Sequence, residues 1–270
     1  MEAIVSAPGR ISAQHSLIES ANVIDEPADY WQNGLTYMPA ICNGPYVTAV
    51  DCPQNELNAA TGYECSEPIT YMPYVSTVIV PRPAGTFSFD EVSALALELM
   101  PTGTSTILAQ RLIYGDAGQT SNKYVANEAA VYDTALKPDI ALGYLQDFLD
   151  QSGAHGTIYM NSRTANSLQT LLKEDDRGRL VTVHRGDLVI VEGTIGSLDA
   201  NGDAIASLSE AYIFAHIGEP DVRLGQIDLF EGFDHETNVR YVRATQVVAA
   251  TFDPCLSYAG RVDLSADTGV

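Results

Sequence analysis

The run LDANGDAIASLSE, Leu198 to Glu210, places oxygen-bearing side chains at the spacing that wraps a calcium ion. Counted from Asp199, it offers Asp199 at position 1, Asn201 at 3, Asp203 at 5, the Ile205 carbonyl at 7, Ser207 at 9 and Glu210 at 12. Position 6 of an EF-hand loop is a glycine that makes the sharp turn, and here it is Ala204. An EF-hand also needs a helix on each side, whereas LVIVEGTIG before the run and AYIFAHI after it have the β-branched and aromatic texture of strands. The run is therefore expected to connect two strands, with Asn201-Gly202 at its turn. Either an ion or a subunit contact orders the carboxylates of Asp199 and Asp203; no metal site is assigned.

Other chemistry is sparse. The histidines (His15, His155, His184, His216, His235) are scattered, and His235-Glu236 opens like H-E-x-x-H but has Val239 where the second histidine belongs. There is no G-x-S-x-G elbow, P-loop or G-x-G-x-x-G, so no catalytic residue and no cofactor are expected, and the chain is not expected to be an enzyme. Arg185-Gly186-Asp187 spells an adhesion tripeptide, but Gly and Asp between two β-branched runs are what a hairpin turn needs. Cys42, Cys52, Cys65 and Cys255 form no C-x-x-C pair, which excludes zinc-ribbon and thioredoxin-type sites. Reduced thiols or a disulfide between two of them both fit that spacing.

Composition narrows the partners. With 35 acidic against 14 basic residues the net charge is -21, which opposes a broad phosphate-binding surface, since nucleic-acid affinity comes largely from Lys and Arg. The N-terminus MEAIVSAPGR lacks the apolar run of a secretory signal, and no segment carries about 20 consecutive apolar residues, so neither export nor a membrane partner is expected.

The elements follow from period and caps. Residues 1 to 35 show no period of 2 or 3.6 and are expected to form an arm. Tyr37 to Pro83 is rich in Pro, Gly, Asn and Cys, with short strands that Pro73, Pro81 and Pro83 confine to sheet edges. Ser88 and Glu91 form a capping box opening a helix, with Phe89, Val92, Leu95, Ala96 and Leu99 on one face; Pro101 and Gly103 are expected to break or kink it before STILAQRLIYG resumes. LKPDIALGYLQDFLDQSG is a second helix, GTIYM a strand, and SRTANSLQTLLKEDDRG a third helix capped by Ser162 with Ala165, Leu168, Leu171 and Leu172 inward. Everything beyond is β, which gives an α+β chain.

One strand is over-long. Val239 to Phe252 would extend about 45 Å, against the five or six residues usual for a strand. Such an element suits a thin platform whose edges and faces are covered by neighbouring subunits.

The runs NVRYVRATQVVAATFDPCLSYAGRVDL, EPDVRLGQIDLF and GTIYMNSRTANSLQTLLKEDDRGRLVTVHRGDLVIVEG resemble the closing and middle sections of the major capsid proteins of tailed bacteriophages, particularly those of actinobacterial phages. The likeness spans roughly residues 74 to 266. It implies the Hong Kong 97-like capsid fold, shared with encapsulins and the herpesvirus capsid floor. On that resemblance the N-terminal arm is 1–35, an extended β-loop lies in 36–80, a peripheral domain takes 81–139 and 233–270 with a spine helix Phe89 to Tyr114, and an axial domain takes 140–232. The implied function is self-assembly, in pentamers and hexamers, into an icosahedral head around double-stranded DNA bound without sequence specificity. Portal, scaffold and decoration proteins would be further partners, and the virion, made in the bacterial cytoplasm, the location. The Lys-Asn cross-link of some members is not carried over, because Lys123, Lys137 and Lys173 have no identifiable partner. An encapsulin-like compartment and a calcium-stabilised β-rich binding module are the alternatives.

Overall fold

The computed structural model describes residues 15–25, 31, 33–37, 69–83, 85, 87–115, 123–150, 153–193, 195–196, 205, 209–254 and 257–265. Within them the chain forms α1 (Leu17–Ser20), β1 (Asn22–Asp25), β2 (Leu35–Tyr37), β3 (Ile69–Tyr71), β4 (Tyr74–Pro83), α2 (Phe89–Tyr114), α3 (Val125–Glu128), β5 (Ala129–Leu136), α4 (Pro138–Asp150), β6 (Gly156–Met160) and α5 (Ser162–Ser167). It continues through β7 (Leu172–Glu174), β8 (Leu180–Thr182), β9 (Leu188–Val191), β10 (Glu210–Ile217), β11 (Asp221–Asp234), β12 (Val239–Thr251) and β13 (Ser257–Asp263).

The capping box holds. Glu91 N–H donates to the Ser88 hydroxyl at 3.3 Å and Ser88 N–H donates to Glu91 Oε2 at 2.8 Å, so donors that a helix start leaves unpaired are satisfied reciprocally. The expected break at Pro101 does not occur: α2 is one helix of 26 residues with Pro101 inside it. Proline removes the bond to the carbonyl four residues back, on Leu97, but Leu97 is 41% exposed and Pro101 is exposed, so water can take that carbonyl. Met100, Thr104 and Ser105 beside it are buried and hold both halves down. By length and mean hydropathy α2 is long and apolar enough to cross a membrane, a property that the absence of a 20-residue apolar run concealed. It instead lays Val92, Ala96 and Met100 against Val80, Val242 and Ala244 of a sheet. Each buried valine or methionine among these is worth roughly 1.5–3 kcal/mol, and each alanine less.

That sheet has the order β1-β11-β12-β4. Strands β11 and β12, of 14 and 13 residues, pair antiparallel along nearly their whole length, as the strand pattern of Val239 to Phe252 predicted. Their register slips between Leu224 and Ile227, where Gln246 Nε2 donates to the Gly225 carbonyl at 2.8 Å. The prolines of β4 stand on the outer strand, as expected.

A second sheet has the order β5-β13-β10-β6-β9-β8-β7. Its middle strands are covered on both faces, which is why AYIFAHI is almost continuously apolar instead of alternating. Ile213 and Ala215 face Leu142, Leu145 and Leu149 of α4, while Tyr212 and Phe214 face the last turns of α2. The core on the α2 side also takes Val222, Val248, Ala250 and Phe252 from the first sheet, so the two sheets share it.

Three expectations need correction. Helix α5 is capped by Asn161, whose side chain accepts from Thr164 N–H at 2.9 Å, and Ser162 is its first residue. The helix ends at Ser167, because Leu172–Glu174 turns into β7 and pairs with β8. Strand β5, parallel to β13, had no forecast at all.

Residues 15–25, within the segment expected to be an arm, lie on the subunit's own body, with Leu17 fully buried in the shared core. Strands β2 and β3 pair antiparallel at the two ends of residues 38–68. That stretch and all four cysteines lie outside the described residues.

Candidate assembly surfaces

The cover that α2 gives the four-stranded sheet is one-sided. Side chains alternate along a strand, so Val80, Val242 and Ala244 facing α2 put Val75, Thr77, Ile79 and Pro81 of β4 on the other face. The register brings Arg243 beside Ile79 and Phe230, and Tyr241 between Pro81 and Gly232. Val75 is 66% exposed, Ile79 57% and Phe230 52%, which makes this an uncovered apolar strip across three strands. The Arg243 guanidinium lies over the Phe230 ring, 5.1 Å from its centroid.

Two properties suit the strip to meeting another protein chain. Its charged members include Asp228 and Asp234 against Arg243, so the face carries little net charge on a chain of charge -21, and like-charge repulsion across it is small. The strands at its sides are also open: among the described residues, β4 has no outer neighbour, and β11 has one only at Asp221–Leu224, where β1 pairs. Pro81 and Pro83 remove two N–H groups from the β4 edge, which limits uncontrolled pairing there.

The sites suggested by motifs behave differently. Of the calcium-like run, Asp199, Asn201, Asp203 and Ser207 lie outside the described residues, and Ile205 packs against the shared core. Glu210 is the first residue of β10, and its Oε2 accepts from Arg261 Nη2 at 2.6 Å. Among the described residues no group of three or more His, Cys, Asp or Glu is placed to hold a metal ion. The adhesion tripeptide is a turn, with Gly186 at φ 74°. Asp187 is wholly buried, accepts from Gly156 N–H at 3.0 Å and Arg185 Nε at 2.9 Å, and cannot face a receptor. Arg185 also donates to the Ala154 carbonyl at 2.7 Å and pairs with Asp150, so the motif ties the β8–β9 turn to the end of α4.

Sequence reasoning passed over one buried titratable group. His216 is fully buried on β10; its Nε2 lies 2.7 Å from the Tyr159 hydroxyl and its Nδ1 2.8 Å from the Ile217 carbonyl. A carbonyl only accepts, so Nδ1 carries the hydrogen and Nε2 accepts from Tyr159. Burial disfavours the imidazolium and lowers the pKa to about 4. Its ring also packs against Phe252, at 5.2 Å between centroids. The signal was present in AYIFAHI, since a histidine amid apolar strand residues must be buried and must find a partner.

No family model matches the sequence, and no curated protein matches it. Solved structures do match, over nearly the whole chain. The capsid of an empty GTA particle aligns with a TM-score of 0.58 at 14% identity, covering 97% of this chain and 95% of that one. A chain of Mycobacterium phage Ogopogo aligns at 0.58 and 12%, covering 97% of each. The encapsulin complex of Synechococcus elongatus aligns at 0.55 and 10%, covering 97% of this chain and 94% of that one. The class is thus an α+β shell-type fold, as GTA-particle capsid and encapsulin subunits have it. The Hong Kong 97-like fold expected from the sequence is the fold of this chain.

Proposed function

We propose that the chain is a major capsid protein that assembles, as pentamers and hexamers, into an icosahedral head around double-stranded DNA. The observation that carries this is the one-sided platform: long strands, one face on α2, the other face apolar and exposed, edges largely open among the described residues, in a fold whose solved examples include the capsid of a GTA particle. A subunit so thin gains from its neighbours the burial that its own core does not supply, and contacts repeated by symmetry close the shell. The role is structural and uses no catalytic residue.

In this proposal the four-stranded sheet with α2 is the peripheral part and the seven-stranded sheet the axial part. Strands β5 and β13 then join the axial part and β11 the peripheral one, a division by sheet instead of by the boundaries at 139 and 232. DNA would be enclosed and not gripped, since a surface of this charge offers few phosphate contacts. Portal, scaffold and decoration proteins would be partners of the assembled head.

The encapsulin likeness supports a second reading, a protein compartment. Particles recovered from producing cells and treated with nuclease separate the two. Protected double-stranded DNA inside supports the head, whereas a protein cargo with no protected DNA supports the compartment.

A further inference from the structure

The segment from His15 to Asp25 crosses the junction of the two sheets. It is held at its start by bonds that meet around one buried side chain, Glu192, and by a 3.6 Å contact between His15 and Glu174. The Glu192 carboxylate, 4% exposed just past β9, accepts from Leu17 N–H at 3.2 Å and the Ser105 hydroxyl at 2.7 Å through Oε1, and from the Thr106 hydroxyl at 3.4 Å through Oε2. Ile18 N–H donates to the Ser105 hydroxyl at 3.3 Å, and Val191 N–H donates to the His15 carbonyl at 2.9 Å. After α1 the chain enters β1, which lies parallel along Asp221–Leu224, with Asn22 Nδ2 donating to Asp221 Oδ1 at 2.9 Å.

The attachment is thin. Helix α1 has four residues, too few to persist by itself, and β1 also has four. Leu17 is the fully buried apolar anchor, with Ile18 and Ala21 partly covered beside it and Val23 37% exposed. Detachment does not strand the carboxylate, since the Ser105 and Thr106 hydroxyls stay with it and water replaces the Leu17 N–H. His15 meanwhile sits at φ 65°, a conformation that disfavours a non-glycine residue, and release relieves it. Both states therefore satisfy their polar groups, and detachment costs chiefly the burial of Leu17.

We propose that residues 15–25 are a releasable strap, latched by Glu192, that caps one end of the β11 edge and opens as a unit. Among the described residues, the closed strap leaves the edge of β11 open from Gly225, and the open strap leaves it open from Asp221 to Asp234, a longer template for an added strand. The strap belongs to the single subunit, so its test is independent of the shell proposal.

Hydrogen exchange with mass-spectrometric readout, on the full unassembled chain, tests it. In the native sequence, amides 17–25 should exchange together and faster than those of α2 and β12. Glu192→Gln and Ser105→Ala should each speed exchange in 17–25 about tenfold or more and leave α2 and β12 unchanged. If Glu192→Gln fails to fold, Ser105→Ala, which loses one hydroxyl, decides alone. Exchange of 17–25 as slow as the core, no effect in the variants, or equal loosening of α2 and β12 would overturn the strap.

Discussion

The ring of Tyr241 lies across Gly232 on the neighbouring strand, filling the space where any other residue would carry its Cβ. Gly232 and Tyr241 are direct cross-strand partners on the uncovered face, so the glycine is required by the ring and not by its own backbone. Gly232→Ala should displace the ring, and because the clash is with the far end of a side chain on an open face the cost should stay below about 1 kcal/mol. Denaturant midpoints check it. In the Tyr241→Ala background the same change should do little, and an additive pair would refute the contact.

His216 makes stability depend on pH in a defined direction. Its pKa falls from 6.5 to about 4 on folding, so between those values the unfolded chain binds a proton that the folded chain does not. Its contribution is complete above about pH 6.5, is lost as pH falls toward 4, and is flat below, a change of about 3 kcal/mol. His216→Gln keeps an acceptor for Tyr159 without titrating. The difference between the two stability curves should show this slope between pH 4 and 6.5; parallel curves would contradict the buried neutral imidazole.

Asp187 is the buried member of an ion pair, and Arg185 is largely covered beside it. Removing the carboxylate leaves the Gly156 N–H without its acceptor and takes one of the three partners from Arg185, which keeps Asp150 and the Ala154 carbonyl. Asp187→Ala should therefore cost about 1–3 kcal/mol in thermal or denaturant unfolding, as expected for leaving a buried donor unsatisfied. A change below about 0.5 kcal/mol would mean that the tripeptide is a surface feature after all.

Much of the fold was legible where one local signal fixed one element. Ser88 and Glu91 set the start of α2 at Phe89, Pro138 the start of α4, and the β-branched texture of 239–251 the course of β12. The failures share a cause in tertiary context. Pro101 stays inside a helix because the packing of its neighbours Met100, Thr104 and Ser105 outweighs one lost hydrogen bond. Leu171 and Leu172 keep helical spacing but are drawn into a turn and into β7 by pairing with β8. The apolar strip was hidden because Ile79 lies roughly 150 residues before Phe230 and Arg243 along the chain and meets them only through register. His216 and Tyr159, 57 residues apart, were hidden in the same way.

Calcium should have no effect on the unfolding temperature. The carboxylate that would close the ring of ligands at position 12, Glu210, is held by Arg261 in a charge-assisted bond at 2.6 Å. Melting curves recorded with a chelator and with millimolar calcium should superimpose. A clear rise with calcium would return Glu210 and the run from Asp199 to the role of an ion site.

Electron microscopy of the purified protein, set beside an Ile79→Glu variant, tests the shell most directly. Ile79 is 57% exposed on the uncovered face, so the substitution should leave the subunit's stability within about 0.5 kcal/mol while placing a charge in a subunit contact. The native chain should form closed icosahedral particles, and the variant should remain as folded small species. Native protein that stays monomeric under every assembly condition would contradict the account.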